Sequence, residues 1–303
     1  MLTLEQVLEG YGARSPLPAI KVGSFARIRA SDDHAGAKSL WCKLHADGNA
    51  VYGDWRTGEQ HVYVSGDNAG AKADPAERAA RSAAAEAETL AEQAKVAAKA
   101  KGIWAKLPAA VETHPYLVRK GLSCFAAYFR QQGELLVLPV RDILTGEIIN
   151  LQYIQPAKPK VTDLETGVVS FGRDKTFMKG GRLSGCGVWI GKPKGAAKVV
   201  FAEGFATGAS IHWATGAVVC CVMSSSNYFA VASKVRKQLP EAEFVFAADH
   251  DRINPKTGKR AGIAKATEAA TVLKGIVAVP QVEGQDFNDI HALEGLDAVK
   301  SYF

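Results

Sequence analysis

The sequence predicts an α/β protein: a mostly parallel sheet covered by helices at the C-terminal end, preceded by a small β-rich module and a long connecting helix. Three features carry that expectation. From Lys198 onward, short apolar runs alternate with helix-length segments, in the order 198–202, 207–214, 217–222, 226–238, 243–248, 262–273 and 275–279. Such runs fit strands buried on both faces of a parallel sheet, and the intervening segments fit its covering helices. Residues 17–64, by contrast, alternate apolar and polar positions between Gly, Asp and Asn turns, which is the period of small half-buried strands. Between these regions the composition shifts abruptly to Ala, Glu, Lys and Arg from Asp74 to about Lys106.

The β-rich module includes Lys21-Val-Gly-Ser-Phe-Ala-Arg-Ile-Arg29 and Ser39-Leu-Trp-Cys-Lys-Leu44. Its aromatics Trp41, Tyr52, Trp55 and Tyr63 are interspersed with Lys43 and Arg56. Two roles are open to them: filling a small core, which needs large side chains, and stacking on single-stranded bases. The connecting helix opens at Asp74-Pro75-Ala76-Glu77, an N-cap, a proline at the first helical position and a capping-box acid. Running to Lys106, it would approach about 45 Å. Large apolar residues are sparse before Ile103 and Trp104, so a mostly solvated spacer held by local charge pairs is expected. Residues 111–121 read as a short helix stopped by Gly121. Residues 134–140 and 147–155 read as a hairpin around Asp142-Ile-Leu-Thr-Gly146. The expected organisation is therefore a β-rich module at 1–70, a helical connector at 71–108, an α+β subdomain at 109–195 and the α/β domain at 196–303.

Two of the apolar strands run directly into acids. Lys198-Val-Val-Phe-Ala-Glu203-Gly204 ends on Glu203, and Phe244-Val-Phe-Ala-Ala-Asp249-His250-Asp251 ends on two aspartates. Ligands of open α/β sheets collect beyond the carboxyl ends of strands. Asp249 and Asp251 stand two apart, so in extended chain both side chains point the same way and can share one divalent cation. A third acidic element, Asp286-Phe-Asn-Asp289, follows the strand at 275–279. Carboxylate oxygens are the hard ligands that Mg²⁺ and Mn²⁺ prefer, and two such ions about 4 Å apart can serve both oxygens of a phosphoryl displacement. Taken singly, any of these acids reads better as a helix N-cap or a solvated loop charge; the ordered set favours the shared metal site.

Two basic segments accompany the acids. Arg173-Asp-Lys175-Thr-Phe-Met-Lys179-Gly-Gly-Arg182 carries paired glycines that let backbone approach phosphate closely. Arg252-Ile-Asn-Pro-Lys256-Thr-Gly-Lys259-Arg260 lies just past Asp251. Lys175, Lys179, Arg182, Arg252, Lys256, Lys259 and Arg260 are thus candidate contacts to nucleic acid or nucleotide phosphates, with an ordinary solvated surface as the competing role.

The ordered set Glu203-Gly-Phe-Ala-Thr-Gly208, Asp249-His-Asp251 and Asp286-Phe-Asn-Asp289 resembles the Toprim catalytic domain of primases, topoisomerases and some nucleases. Within it, the form Glu-Gly-Phe-Ala-Thr-Gly is similar to the Glu-Gly-Tyr-Ala-Thr-Gly signature of plasmid and phage primases, with Phe205 where that family often has Tyr. His114-Pro-Tyr-Leu-Val-Arg-Lys-Gly121, Leu136-Val-Leu-Pro-Val-Arg-Asp142 and Leu151-Gln-Tyr-Ile154 resemble the lead-in segments of those proteins, so the likeness covers residues 100–303 or so. The resemblance implies Glu203 in acid/base chemistry or metal binding, Asp249 and Asp251 as metal ligands, and Asp286 and Asp289 as further ligands. Cellular replicative primases carry an extra Asp four residues after the Glu; Thr207 stands there in this chain, which implies one ligand fewer.

The remaining features narrow the class. At 303 residues and 47% hydrophobic, the chain can bury a full core. A formal net charge of +6 suits a polyanionic partner. The start Met1-Leu-Thr-Leu-Glu-Gln has no basic region followed by an apolar core, and the longest apolar stretches are too short to cross a bilayer, so a cytoplasmic protein is expected, with no membrane partner. The five cysteines form no Cys-x-x-Cys pair, and Cys42 with His45 lacks a second pair, which argues against zinc. No Gly-x-x-x-x-Gly-Lys-Ser/Thr segment occurs, so a helicase would be a separate partner. The expectation is a Toprim-type DNA primase making short RNA primers on single-stranded DNA from nucleoside triphosphates with Mg²⁺ or Mn²⁺. The alternatives are a Toprim nuclease and a catalytically silent single-strand-binding accessory protein.

Overall fold

The structure, a computed structural model, describes residues 2–33, 37–66, 75–162, 169–255 and 258–303. The chain divides into two compact units. The first takes in Met1–Ala84, Pro159–Gly172 and Asn254–Gly258, and the second takes in Ala85–Lys158, Arg173–Ile253 and Lys259–Phe303.

The first unit opens with helix α1 (Leu4–Gly10), whose start is fixed by a reciprocal capping box between Thr3 and Gln6. Four antiparallel strands follow, β1 (Phe25–Ile28), β2 (Leu40–Leu44), β3 (Ala50–Asp54) and β4 (Gln60–Tyr63), in sequential order. Their register sorts the side chains. Ala26, Cys42, Tyr52 and His61 lie in one row and Ile28, Leu40 and Asp54 in the next, on the face that packs against Leu8. Phe25, Lys43, Val51 and Val62, with Arg27, Trp41, Gly53 and Gln60, form the opposite face. The aromatics divide between the two faces: Tyr52 and Tyr63 pack on the core, and Trp41 belongs to the other side.

Arg56 is not available to a ligand. Its guanidinium bonds Asp54 at 2.6 Å, Asp32 at 2.9 Å and Asp33 at 3.2 Å. The Asp33 and Asp54 side chains are only 3% and 7% exposed, so this cation neutralises two buried carboxylates. Arg56→Ala is expected to destabilise the unit by about 3–5 kcal/mol, since it strands buried charge. Urea unfolding followed by far-UV circular dichroism checks it; a loss below about 1 kcal/mol would mean the acids are hydrated instead.

A long helix, α2 (Pro75–Lys106), is present as expected, although Asp74, its expected cap, lies outside the described residues. It is solvated from residue 83 to 95 but not throughout. Ala100, with Ile103 and Trp104, packs on Val137, Ile148 and Leu151, and Arg130 lies over the Trp104 ring at 5.3 Å. The last turns of the spacer are thus a docked part of the second unit.

After helix α3 (Pro115–Arg119) come the strands β5 (Arg130–Gln132), β6 (Leu135–Asp142) and β7 (Ile148–Ile154), with β6 and β7 forming the expected hairpin. A two-stranded ladder, β8 (Lys160–Thr162) with β9 (Val169–Phe171), belongs to the first unit. Then follow β10 (Lys175–Phe177), β11 (Cys186–Ile190), β12 (Lys198–Ala202), α4 (Phe205–Thr215), β13 (Val218–Cys221), α5 (Tyr228–Gln238), β14 (Glu243–Ala247), α6 (Ala261–Leu273), β15 (Ile276–Ala278), α7 (Phe287–Glu294) and α8 (Leu296–Lys300). The sheet runs β10-β7-β6-β11-β13-β12-β14-β15, with β5 beside β6. Strands β13, β12, β14 and β15 are mutually parallel, and β11 joins them antiparallel to the hairpin strands. The boundary expected at 195/196 therefore falls inside one continuous nine-stranded sheet.

Two cores cover this sheet. Side chains of alternate positions, Val200 and Ala202 on β12 and Val245 and Ala247 on β14, face α4 and α7, whereas Val199, Phe201, Phe244 and Phe246 face α5 and α6. Both faces are buried, which is why these strands read as continuous apolar runs. Helix α4 approaches β13 so closely that a Cβ on Gly208 would lie 2.4 Å from Cys221 Sγ and 3.1 Å from Val219 Cγ1. Gly208→Ala is accordingly expected to cost about 1–3 kcal/mol by overpacking, read as a lowered thermal midpoint, and an unchanged midpoint would show that α4 can shift outward freely.

Candidate active site

The chain leaves β12 through α4 to reach β13 on one side, then passes back through α5 to β14 on the other side. The order of strands reverses between β12 and β14, and a crevice opens at such a switch point beyond the carboxyl ends of the strands. Ala202 and Ala247 are the last registered pair. Glu203 is the next residue on one strand and Asp249 the second on the other, so both stand at the mouth of the crevice.

Asp249 Oδ1 is buried and has no hydrogen-bond partner. Burial, then the neighbouring Asp286, Glu203 and Asp251, push the Asp249 carboxyl up to about 8, against a lowering pull from Lys175. Glu203 is likewise raised, by burial and by Asp251, and is held down in part by Ser225 and Lys175. Asp251 is raised by burial. Gly262, in the first turn of α6, faces this group: a Cβ there would lie 3.0 Å from Asp251 Oδ2 and 3.9 Å from Glu203 Oε2. The two oxygens therefore face one point, and the absence of a side chain keeps it open.

The donor set is carboxylate oxygen, and one oxygen is buried without a partner, which fits a hard divalent cation. Among the described residues, no three acids, histidines or cysteines gather tightly enough to ring one ion. The acids are spaced as a cluster of mutually repelling charges, which a cation would relieve.

The other predicted site residues divide. Asp286 acts on both Asp249 and Lys175 electrostatically, while its Oδ1 accepts from the backbone N–H groups of Asn288 and Asp289 as the N-cap of α7. Asp289 is committed elsewhere: its Oδ2 accepts from Asp286 N at 3.1 Å to complete the capping box, and its Oδ1 lies 3.7 Å from Lys120 Nζ. Lys175 is brought into the cluster. Burial disfavours its ammonium, but Tyr116, Asp174 and Asp286 more than compensate, so it stays charged. Its Nζ lies 5.9 Å from the centre of the Tyr116 ring and 3.9 Å from where a Cβ on Gly204 would stand.

Arg182, seven residues along the same basic segment, goes elsewhere. It bonds Asp142 at 2.8 Å, an acid that Lys234 also approaches at 3.2 Å, and that carboxyl is held far below its usual range despite burial. Lys179 is exposed. In the second basic segment Arg252 and Lys259 are exposed, Lys256 lies outside the described residues, and Arg260 bonds the Asp251 carbonyl at 3.0 Å and the Glu283 carboxylate. Sequence reasoning missed Ser225, which supports Glu203, and Gly262. Ser225 lies in a run of three serines just past β13, and its position beyond the end of a parallel strand is the signal that would have found it.

Residues 198–297 match the Toprim domain family. A DNA primase TraC of Escherichia coli is 31% identical over 270 residues, which is 85% of this chain and 24% of that protein. A second DNA primase TraC of Escherichia coli is 29% identical over 171 residues, covering 55% of this chain and 11% of the relative. The chain thus spans a quarter or less of the length of these relatives. Among solved structures, the RNA polymerase domain of Mycobacterium tuberculosis primase DnaG with double-stranded DNA aligns at a TM-score of 0.39 and 17% identity, over 71% of this chain and 80% of that one. A DnaG primase catalytic domain bound to single-stranded DNA aligns at 0.43 and 11% identity, over 71% and 81%. The C-terminal part of the chain is a Toprim domain. Its kinship is with the plasmid-type DNA primases, as the Glu203–Gly208 signature implied. Among the described residues, no helix is long and apolar enough to cross a membrane.

Proposed function

We propose that this chain is the catalytic region of a DNA primase, joining nucleoside triphosphates into short RNA primers on a single-stranded DNA template. The observation that carries the reading is the gathering of Glu203, Asp249 and Asp251 at the switch point between β12 and β14, with Glu203 Oε2 and Asp251 Oδ2 facing the gap kept open by Gly262. The likeness to TraC primases supports the choice of substrates.

In the reaction a primer 3′-hydroxyl attacks the α-phosphorus of a nucleoside triphosphate, the bond to the bridging oxygen breaks, and pyrophosphate leaves. Glu203 Oε2 takes the proton of the attacking hydroxyl. Burial beside Asp251 makes its carboxylate a stronger base than an exposed glutamate. Asp249 and Asp251, with Glu203 alongside, would hold Mg²⁺ or Mn²⁺, which when bound neutralise charge on the phosphates and the leaving pyrophosphate. Lys175 presents a half-buried positive charge to the triphosphate, and Lys179, Arg252 and Lys259 meet phosphates of template or nucleotide in solvent. A separate helicase as partner and a cytoplasmic setting go with this reading.

The test is primer synthesis from labelled ribonucleotides on random single-stranded templates with Mg²⁺ or Mn²⁺, followed by mass analysis. Template-complementary RNA oligomers are the expected product. Digestion of plasmid DNA without synthesis would replace the reading with a nuclease, in which water takes the place of the hydroxyl. Binding without turnover under both cations would replace it with an accessory protein.

A further inference from the structure

The outer face of the four-stranded sheet in the first unit carries a stack of aromatic rings that its own core does not use. Trp41 lies against β3, where Gly53 makes room: a Cβ there would sit 3.1 Å from two indole carbons. Phe25 and Trp55 flank it, with ring centres 5.3 Å and 5.4 Å from that of Trp41. Trp41 is buried beneath them, while Phe25 is 57% and Trp55 is 56% exposed. Planes tilted by 31° to 47° make this an open, offset stack rather than a closed cluster.

Charge gives the patch a direction. Lys43 stands over the Phe25 ring at 5.6 Å, and Arg27 pairs across from Trp41 in the register and is exposed. No Asp or Glu occupies any register position of this face, and Asp32, Asp33 and Asp54 are bonded to Arg56. Exposed ring faces with Lys43 and Arg27 beside them match a strand whose bases stack and whose backbone is anionic.

We infer that this face binds single-stranded nucleic acid by stacking bases on Phe25 and Trp55, with Arg27 and Lys43 meeting the phosphates. It supplies a template grip distinct from the acid cluster. As a role in priming it rests on the primase reading; as a binding surface it stands without it. The two side chains that make the platform are exposed, so they can be removed without opening the core.

The experiment uses the full chain and a fluorescent oligothymidylate, with an abasic oligonucleotide of equal length as control, read by anisotropy across a salt series. Phe25→Ala with Trp55→Ala is expected to weaken oligothymidylate binding about tenfold or more without changing the salt slope. Binding of the abasic strand should be nearly the same in both proteins. Arg27→Ala with Lys43→Ala should make the salt slope shallower, and Trp55→Phe, which keeps a ring, should retain most of the affinity. A ring-deleted variant with an unaltered circular dichroism spectrum and wild-type affinity for oligothymidylate would overturn the inference, whether or not it loses self-association in sedimentation. Trp55→Phe as weak as Trp55→Ala would overturn the stacking role. A protein that makes no primer but shows the ring-dependent binding upholds this inference and removes the primase reading; one that makes primers with ring-independent binding does the reverse.

Discussion

On the proposed primase reading, Asp249→Asn and Asp251→Asn are each expected to reduce primer synthesis by at least about a thousandfold, because each removes a charge that would hold a divalent cation at the reacting phosphates. Asn keeps the size and polarity of the side chain, so the fold should survive. For Asp249 the metal-free protein should even gain stability. Burial and the adjacent acids raise its folded-state carboxyl to about 8, far above its ordinary unfolded value. A group raised on folding favours the folded state at low pH, where it is protonated in both states. That contribution is lost as pH rises from the ordinary carboxylate range toward about 8. Thermal melts in chelator should therefore show wild-type stability declining over this window and a flatter profile in Asp249→Asn. Above it the variant should be more stable by on the order of a few kcal/mol. Mg²⁺ or Mn²⁺ should raise the wild-type midpoint at neutral pH and the variant's much less. Full activity in either variant would sink the assignment of these acids, and parallel melting profiles would show that Asp249 is hydrated in the folded state.

What made the site readable is its place in the sheet. Strands β12 and β14 are buried on both faces, so neither carries the polar alternation that blurs a strand boundary, and the first acids after them mark the strand ends. The extent of α2 followed from its composition, but its docking through Ala100 and Trp104 did not, because the residues it meets are eclipsed from view in a hairpin thirty or more positions away. Strand β11 was not anticipated: its Cys186-Gly-Val-Trp-Ile190 run is short and lies among glycines. Asp289 illustrates how a resemblance can place a residue in a motif without giving its contacts. Asp286-Phe-Asn-Asp289 is also a capping-box spacing, and the structure uses Asp289 for that helix end. Lys175 and Arg182 share one basic segment and part company because β10 pairs with β7, whereas Arg182 follows the Gly180-Gly181 turn to Asp142. No local pattern distinguishes a lysine bound for an acid cluster from one bound for solvent; only the partner across the fold does.

Glu203 and Lys175 are separable by the pH dependence of turnover. If Glu203 is the proposed base, Glu203→Gln should lower the rate of primer synthesis by about 10²–10⁴-fold, with a smaller effect on divalent-cation affinity measured by titration calorimetry. Lys175→Met keeps the length and apolar stem of the side chain but removes the positive charge that holds the Glu203 and Asp249 carboxyls down. Both groups should then protonate at higher pH, and the acidic limb of kcat/KM should move upward in Lys175→Met. In Glu203→Gln the same limb should flatten, since the group whose ionisation it reports is gone. The sign is set by the direction of the Lys175 influence, which lowers both carboxyls in the native protein. An unshifted limb in Lys175→Met, with wild-type affinity for nucleotide, would leave this lysine as a packing residue beside Tyr116. A limb that persists in Glu203→Gln with only a scaled-down rate would move the base to another group of the cluster and leave Glu203 as a ligand.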